Sequence, residues 1–278
     1  MTKNMYKMLF VLSFFGLSFI GQAQILNSIS RKLEDKADKL INTKRNKSTT
    51  ESVQTKKGKE NSTTIQSGPF QENSVMSYDF VSGNQIIFED DFSANSVGNM
   101  ATKWTSNGMG RVENVSGYPG KWLRLYDDNT YKIKELVHIP ENFTLEFDVV
   151  VLSDTSKEIN LDFGFDYVKG VTQHYYIGSR NPINIRASYR FDNFEFTSKE
   201  LDGTKRSSVD ANMSYFINNK MNVKISVEQD RMKTYVNNYK ILDTEMVNPQ
   251  TKKYFYLALD NDKNPAQVYL GNFKITQL

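Results

Sequence analysis

The chain of 278 residues has no cysteine and only two histidines. The absence of cysteine excludes disulfides, thiolate metal sites, cysteine nucleophiles and the acylated cysteine of a bacterial lipoprotein. Whatever folds here must be held by its core alone. His138 and His174 are too few for a three-histidine zinc site. Neither stands beside a Gly-x-Ser-x-Gly nucleophile elbow, and no glycine-rich phosphate loop occurs. Neither sign of charge dominates. The 35 basic and 32 acidic residues leave a net charge of +3, which does not mark a dedicated nucleic-acid binder. Long apolar runs are equally scarce: only residues 8–20 (MLFVLSFFGLSFI) form one, and it is too short for an ordinary transmembrane helix.

That one run has the form of a secretory h-region. Lys3 and Lys7 precede it, and Gly21-Gln22-Ala23 offers a cleavage site before Gln24. Residues 1–23 are therefore expected to be a signal peptide; an uncleaved anchor is the competing reading. The protein is expected to be exported to the periplasm, the outer-membrane surface or the extracellular space. In residues 24–41, Ile25, Ile29, Leu33, Ala37 and Leu40 recur at helical spacing, which predicts a short amphipathic helix. It is a solvated helix or a self-association element, since one so short is marginal alone. Residues 42–74 are rich in Lys, Ser, Thr, Asn and Gln and are expected to be a flexible basic linker. Residues 24–74 hold ten basic and six acidic residues, against 23 and 26 in residues 75–278. A basic tail of this kind could lean on acidic envelope polymers, or simply solubilise the chain.

From residue 75 the pattern changes. Aromatic residues make up 13% of the chain, and many of them fall in short alternating runs. The clearest is 221–243, where Val223, Ile225 and Val227 fall on one side and Asn222, Lys224, Ser226 and Glu228 on the other. Period-two alternation marks strands with one buried face. Fourteen such runs, from 85–92 to 267–275, are separated by Gly, Asn, Asp or Pro, with no helical pattern between them. The expected class is all-β: an antiparallel two-sheet jelly-roll sandwich over residues 75–278. Three apolar rows are expected to line its core as neighbours. They are Phe143 to Val151, Ile159 to Tyr167 and Ile183 to Phe191, each taken at every second residue.

Several pieces in order resemble the concanavalin A-like lectin/glucanase sandwich in its laminin-G-like form. They are Phe88-Glu89-Asp90-Asp91-Phe92, Asn142-Phe143-Thr144-Leu145-Glu146-Phe147-Asp148, the hairpin Tyr235-Val236-Asn237 with Lys240-Ile241-Leu242, and Gly271-Asn272-Phe273-Lys274-Ile275. Asn237-Asn238 stands at the turn where Asn-Gly is frequent in that family. The layout also resembles secreted Bacteroidetes proteins of the OmpA family, in which such a sandwich precedes a peptidoglycan-binding domain. Residues up to Leu278 contain no counterpart of that domain, so its anchoring role does not carry over. The resemblance implies an envelope or extracellular role and a glycan-type partner.

The chemistry follows from the carboxylates. Sandwich glucanases of the resembled superfamily carry Glu-x-Asp and a second Glu two or three residues later. Glu146 and Asp148 match the first two positions, but Val150 and Val151 stand where the second Glu is needed. Retaining hydrolysis requires two carboxyls about 5 Å apart, so no catalytic residue is assigned. Acidic groups at Glu89-Asp90-Asp91, Asp127-Asp128 and Asp260-Asn261-Asp262 could supply oxygen ligands to a structural calcium, with Asp90, Asp91, Asp260 and Asp262 foremost. The same residues also read as solvated turns. A last candidate is the polar face opposite the apolar rows: Asp162, Asp166, His174, Tyr176, Asn184, Arg186 and Arg190. Hydroxyls of a sugar bond to such groups and its rings stack on aromatics; a stabilising cross-strand charge ladder would look the same. The expected function is a non-catalytic carbohydrate- or envelope-polymer-binding module. A structural envelope protein with the sandwich as spacer is the alternative, and a divergent glycosidase a third.

Overall fold

The computed structural model describes residues 68–154, 158–171, 174, 181–260 and 265–278. The expected signal peptide, the helix 24–41 and most of the linker 42–74 lie outside the described residues. So do Tyr176, Asp262 and nearly all of the strand expected at 173–178.

Most of the alternating runs form strands, and among the described residues there are fifteen. They are β1 (Gln85–Asp90), β2 (Trp104–Ser106), β3 (Gly110–Val115), β4 (Tyr118–Leu125), β5 (Asn129–Ile133), β6 (Phe143–Leu152), β7 (Asn160–Asp166) and β8 (Ile183–Ser188). After them come β9 (Asn193–Ser198), β10 (Lys205–Asp210), β11 (Lys220–Glu228), β12 (Arg231–Val236), β13 (Tyr239–Glu245), β14 (Tyr254–Asp260) and β15 (Gln267–Gln277). All strand pairs are antiparallel. One sheet has eight strands in the order β13-β12-β11-β6-β15-β4-β3, with β1 also on β15. The other has seven, in the order β10-β9-β8-β7-β14-β5-β2. The fold is thus the expected all-β two-sheet sandwich.

The core rows are buried as the alternation requires, but they are not neighbours in one sheet. β7 and β8 pair, whereas β6 lies in the opposite sheet between β11 and β15. The rows therefore meet across the sandwich. Phe147 meets Phe163 edge-on at 5.3 Å, and Phe143 meets Phe165 at 5.4 Å. Such T-shaped pairs place a positive ring edge against a negative face. Two ends of the expected rows fall off the core: Tyr167 and Phe191 are exposed because their strands end before them.

Two strands escape a sequence reading. β2 is three residues long, and β10 (KRSSVD) has no apolar alternation because it is a largely exposed edge. The hairpin turn matches expectation: Asn237 adopts φ +53°, and its side-chain oxygen accepts the Asn222 N–H at 2.8 Å.

Residues 68–84 hold the least expected feature. Phe70, inside the expected linker, is buried against Phe194, Phe216 and Tyr239. Beyond Met76, which bridges to Lys240, the chain forms a strap across the outer face of the eight-stranded sheet. Tyr78 and Phe80 pack edge-on against Tyr235 at 5.4 and 5.3 Å. The Lys224 ammonium lies 4.9 Å from the Phe80 ring centre and donates to the Tyr78 hydroxyl at 2.8 Å. Asp79 accepts from the Tyr235 hydroxyl at 2.8 Å and from Lys240 at 3.1 Å. Ser82 then donates to Glu146 at 2.7 Å.

Candidate functional site

Register fixes what shares the outer face of the seven-stranded sheet. Asp162 is opposite Arg186 on β8 and Ala258 on β14; Gly164 is opposite Asn184 and Tyr256. Lys132 and Thr130 continue the rows onto β5, and Thr197 and Glu195 onto β9. Asp162, Asp166, Asn184 and Arg186 therefore do lie on one face. His174 is half-buried. Arg190 does not join the others: it follows the end of β8, is exposed, and lies over the Phe191 ring at 5.4 Å.

The middle of this face is not the open patch that the polar residues predict. Thr130, Lys132, Asp162, Asn184, Tyr256 and Ala258 are all buried. A buried charge must be paired, and these are. Arg186 donates from Nε and Nη2 to the two Asp162 oxygens at 3.0 and 2.8 Å, a bidentate fork, and Asn184 adds a third donor at 3.0 Å. Burial pushes the Asp162 carboxyl up, and the guanidinium and the Asn184 amide oppose that shift. Burial pulls the Arg186 guanidinium down, and the Asp162 carboxylate more than restores it. Lys132 donates to Asp166 at 2.6 Å; burial still holds its ammonium below the ordinary lysine value.

Gly164 lets this network close. It has φ +154°, and a Cβ there would stand 2.2 Å from the Ile183 carbonyl oxygen. Tyr256 is its cross-strand neighbour, yet the Tyr256 hydroxyl reaches the Asn184 side chain one strand further on. The space a Cβ would need at position 164 is taken by the β8 backbone, so glycine alone fits there.

The face opens at its β8–β10 end. A cleft of about 630 Å³ is lined by Asn193, Glu195, Thr197, Lys199, Arg206 and Ser208, among others. Glu195 stands opposite both Arg186 and Ser208. The cleft brings Glu195, Lys199 and Arg206 to one open surface, and the fixed Arg186 fork lies one strand further in, across from Glu195. Nothing in the sequence signalled this cleft, because one of its two walls is β10, the strand that lacks alternation.

The glycosidase-like pair sits on the other sheet. Asp148 is buried and accepts from Asn222 at 2.7 Å, Asn272 at 2.8 Å and Lys220 at 3.1 Å. Glu146 is taken by Ser82 and by Lys274 at 3.1 Å. Both carboxylates are occupied by structural partners.

The acidic groups are redistributed too. Asp90 is buried, accepting from the Phe92 N–H at 2.9 Å and the Trp104 indole at 3.1 Å. Asp91 caps Ser93 at 2.9 Å. Among the described residues the carboxylates that converge are Asp127, Asp128 and Asp260, with ligand atoms within 4.8 Å of one another. They join the β4–β5 turn to the end of β14. Three carboxylates in exposed or half-buried positions also occur without an ion, and the geometry alone assigns none.

No protein-family model matches the sequence, and no curated protein matches it. Solved structures with a similar course include the carbohydrate-binding module CBM66 from Bacillus subtilis. It is 16% identical, with 63% of this chain and 96% of that one covered, at a TM-score of 0.43. The Emp47p carbohydrate recognition domain is 11% identical over 68% and 94% of the two chains, at 0.48. The exoplasmic/lumenal domain of VIP36, in its Ca²⁺/Man3GlcNAc-bound form, is 13% identical over 69% and 90%, also at 0.48. Likeness at this level carries no assignment of ligand or activity.

Proposed function

We propose that the sandwich is a non-catalytic binding module for a carbohydrate or a related envelope polymer, exported as the leader segment predicts. The ligand is taken at the open β8–β10 end of the seven-stranded sheet. The observation that carries this reading is the cleft of about 630 Å³, which brings Asn193, Glu195, Lys199 and Arg206 together, with Glu195 directly across from a guanidinium already held in place by Asp162. A hydroxyl-rich ligand needs donors and acceptors whose positions are fixed before it arrives, because each ordered side chain otherwise costs about 0.5–1.5 kcal/mol on binding. The Arg186 fork meets that need, and Glu195 and Asn193 supply acceptors next to it.

The test is a glycan array followed by isothermal titration, using wild type and Glu195→Gln. Arg186→Ala is the wrong probe, since it would strand the buried Asp162 carboxylate and confuse folding with binding. Wild type should bind. Glu195→Gln should weaken binding roughly tenfold, about 1.4 kcal/mol, with an unchanged melting temperature. A wild type that binds no glycan would overturn the proposal and leave the structural-spacer alternative in its place.

A further inference from the structure

β10 is an edge strand, and its hydrogen bonding can be assigned residue by residue. The Ala211 N–H donates to the Asp192 carbonyl at 2.8 Å, continuing the β9–β10 register. Antiparallel pairs alternate between bonded and non-bonded. Lys205, Ser207 and Val209 therefore spend their backbone groups on β9, and Arg206, Ser208 and Asp210 turn theirs outward. Asn212 has the same parity and confirms it: its N–H reaches out to the Pro69 carbonyl at 2.7 Å. Pro69 thus closes the edge just beyond β10. Among the described residues nothing pairs with the outward groups of Arg206, Ser208 and Asp210, and the side chains of Arg206 and Asp210 have no ionic partner.

An open edge of this kind is a template for another strand, and its own sequence says which. We propose that β10 pairs antiparallel with β10 of a second copy of this chain, about a two-fold axis through Ser208. That register sets Ser208 opposite Ser208 and Arg206 opposite Asp210 of the second copy, twice by symmetry. Every pair joins two outward-facing residues, so the three pairs form six backbone hydrogen bonds. A two-fold axis perpendicular to the sheet keeps like faces together. Arg206 and Asp210 then meet on the outer face, where opposite charges directly across strands attract. Shifting the register to centre on Arg206 or on Ser207 loses both charge pairs. The contact is isologous and closes on itself, so it yields a dimer and no fibre. It joins two seven-stranded sheets into one of fourteen and brings the two β9–β10 clefts side by side. The dimer does not depend on what those clefts bind.

Sedimentation velocity of the full chain over a range of concentrations tests this, with three variants. Wild type should pass from monomer to dimer. Arg206→Asp sets like charges opposite one another and should be monomeric; Asp210→Arg should be monomeric for the same reason. The double variant Arg206→Asp/Asp210→Arg restores both pairs and should dimerise again. At concentrations too low for the dimer all four should melt alike, since both side chains are exposed. A wild type that stays monomeric overturns the proposal. So does a dimer indifferent to the single changes, which would place association elsewhere, such as residues 24–41. Single variants that dissociate without rescue in the double overturn the register.

Discussion

The two outer faces of the sandwich begin from the same pattern, polar residues at every second position, and end differently. On the eight-stranded sheet the polar row runs Tyr235, Lys224, Glu146, Lys274 and Glu89 across five strands. Its first three members are engaged by the strap through Tyr78, Asp79, Phe80 and Ser82. On the seven-stranded sheet the middle is occupied by a bidentate ion pair and a tyrosine ring, and a cleft opens at the β8–β10 end. One face is held by attractions at half-exposed positions, the other by a buried network. A polar strand face is thus not equivalent to a free surface, and the two kinds of cover should fail under different conditions.

The largest effect expected concerns what both faces share. Phe147→Ala should cost about 3–5 kcal/mol by opening a cavity where Phe163, Phe255 and Phe273 converge. Denaturant unfolding measures it; a loss under 1 kcal/mol would mean that the two sheets are not one cooperative unit. Next comes Arg186→Ala, with a loss of about 3 kcal/mol from the stranded Asp162. Asp162→Leu/Arg186→Met should recover much of it, because a buried pair exchanged for apolar groups is often neutral. A double variant as unstable as the single one would show that the pair itself stabilises the sheet.

The smallest effect separates the faces by pH. Burial raises the Asp79 and Asp243 carboxyls, but Tyr235 and Lys240 around Asp79, and Lys240 and Arg231 around Asp243, outweigh it and hold both below the ordinary 3.8. A carboxyl lowered in the folded state contributes fully above its unfolded value. That contribution is lost as pH falls through the lower, folded value. Acid should therefore loosen the strap first. Amides 76–84, corrected for intrinsic rates, should exchange faster below about pH 3.8 while β7 and β8 stay protected. Simultaneous loosening of both regions would erase the distinction drawn between the two covers.

Much of the fold was legible because burial follows period-two alternation. Phe143 to Val151 and Ile159 to Phe165 could be placed inward from sequence alone, and the polar set Asp162, Asn184 and Arg186 could be placed together. Sheet membership was not legible, since alternation says which way a side chain points and nothing about which strand lies beside it. Hence β6 was expected beside β7 and faces it instead. Phe70 was missed because one aromatic in a polar stretch gives no period. The Asp127, Asp128 and Asp260 grouping was invisible as a unit, because its parts lie more than 130 residues apart. β10 was missed for the reason that makes it interesting: an edge strand with free backbone groups carries no apolar stripe.

β15 closes the eight-stranded sheet in a way that also sets an order of events. It lies between β6 on one side and β4 with β1 on the other, so the strand that follows all the other fourteen in chain order is the middle of the sheet. Until it arrives, β1 has no partner strand and β6 has only β11. A chain growing from its N-terminus can form β3–β4 and the β6-β11-β12-β13 half of the sheet, but nothing joins these two parts before β15. Sheets built from such distant segments fold slowly. The eight-stranded sheet should therefore stay in separate parts until residues 267–277 thread between strands made long before.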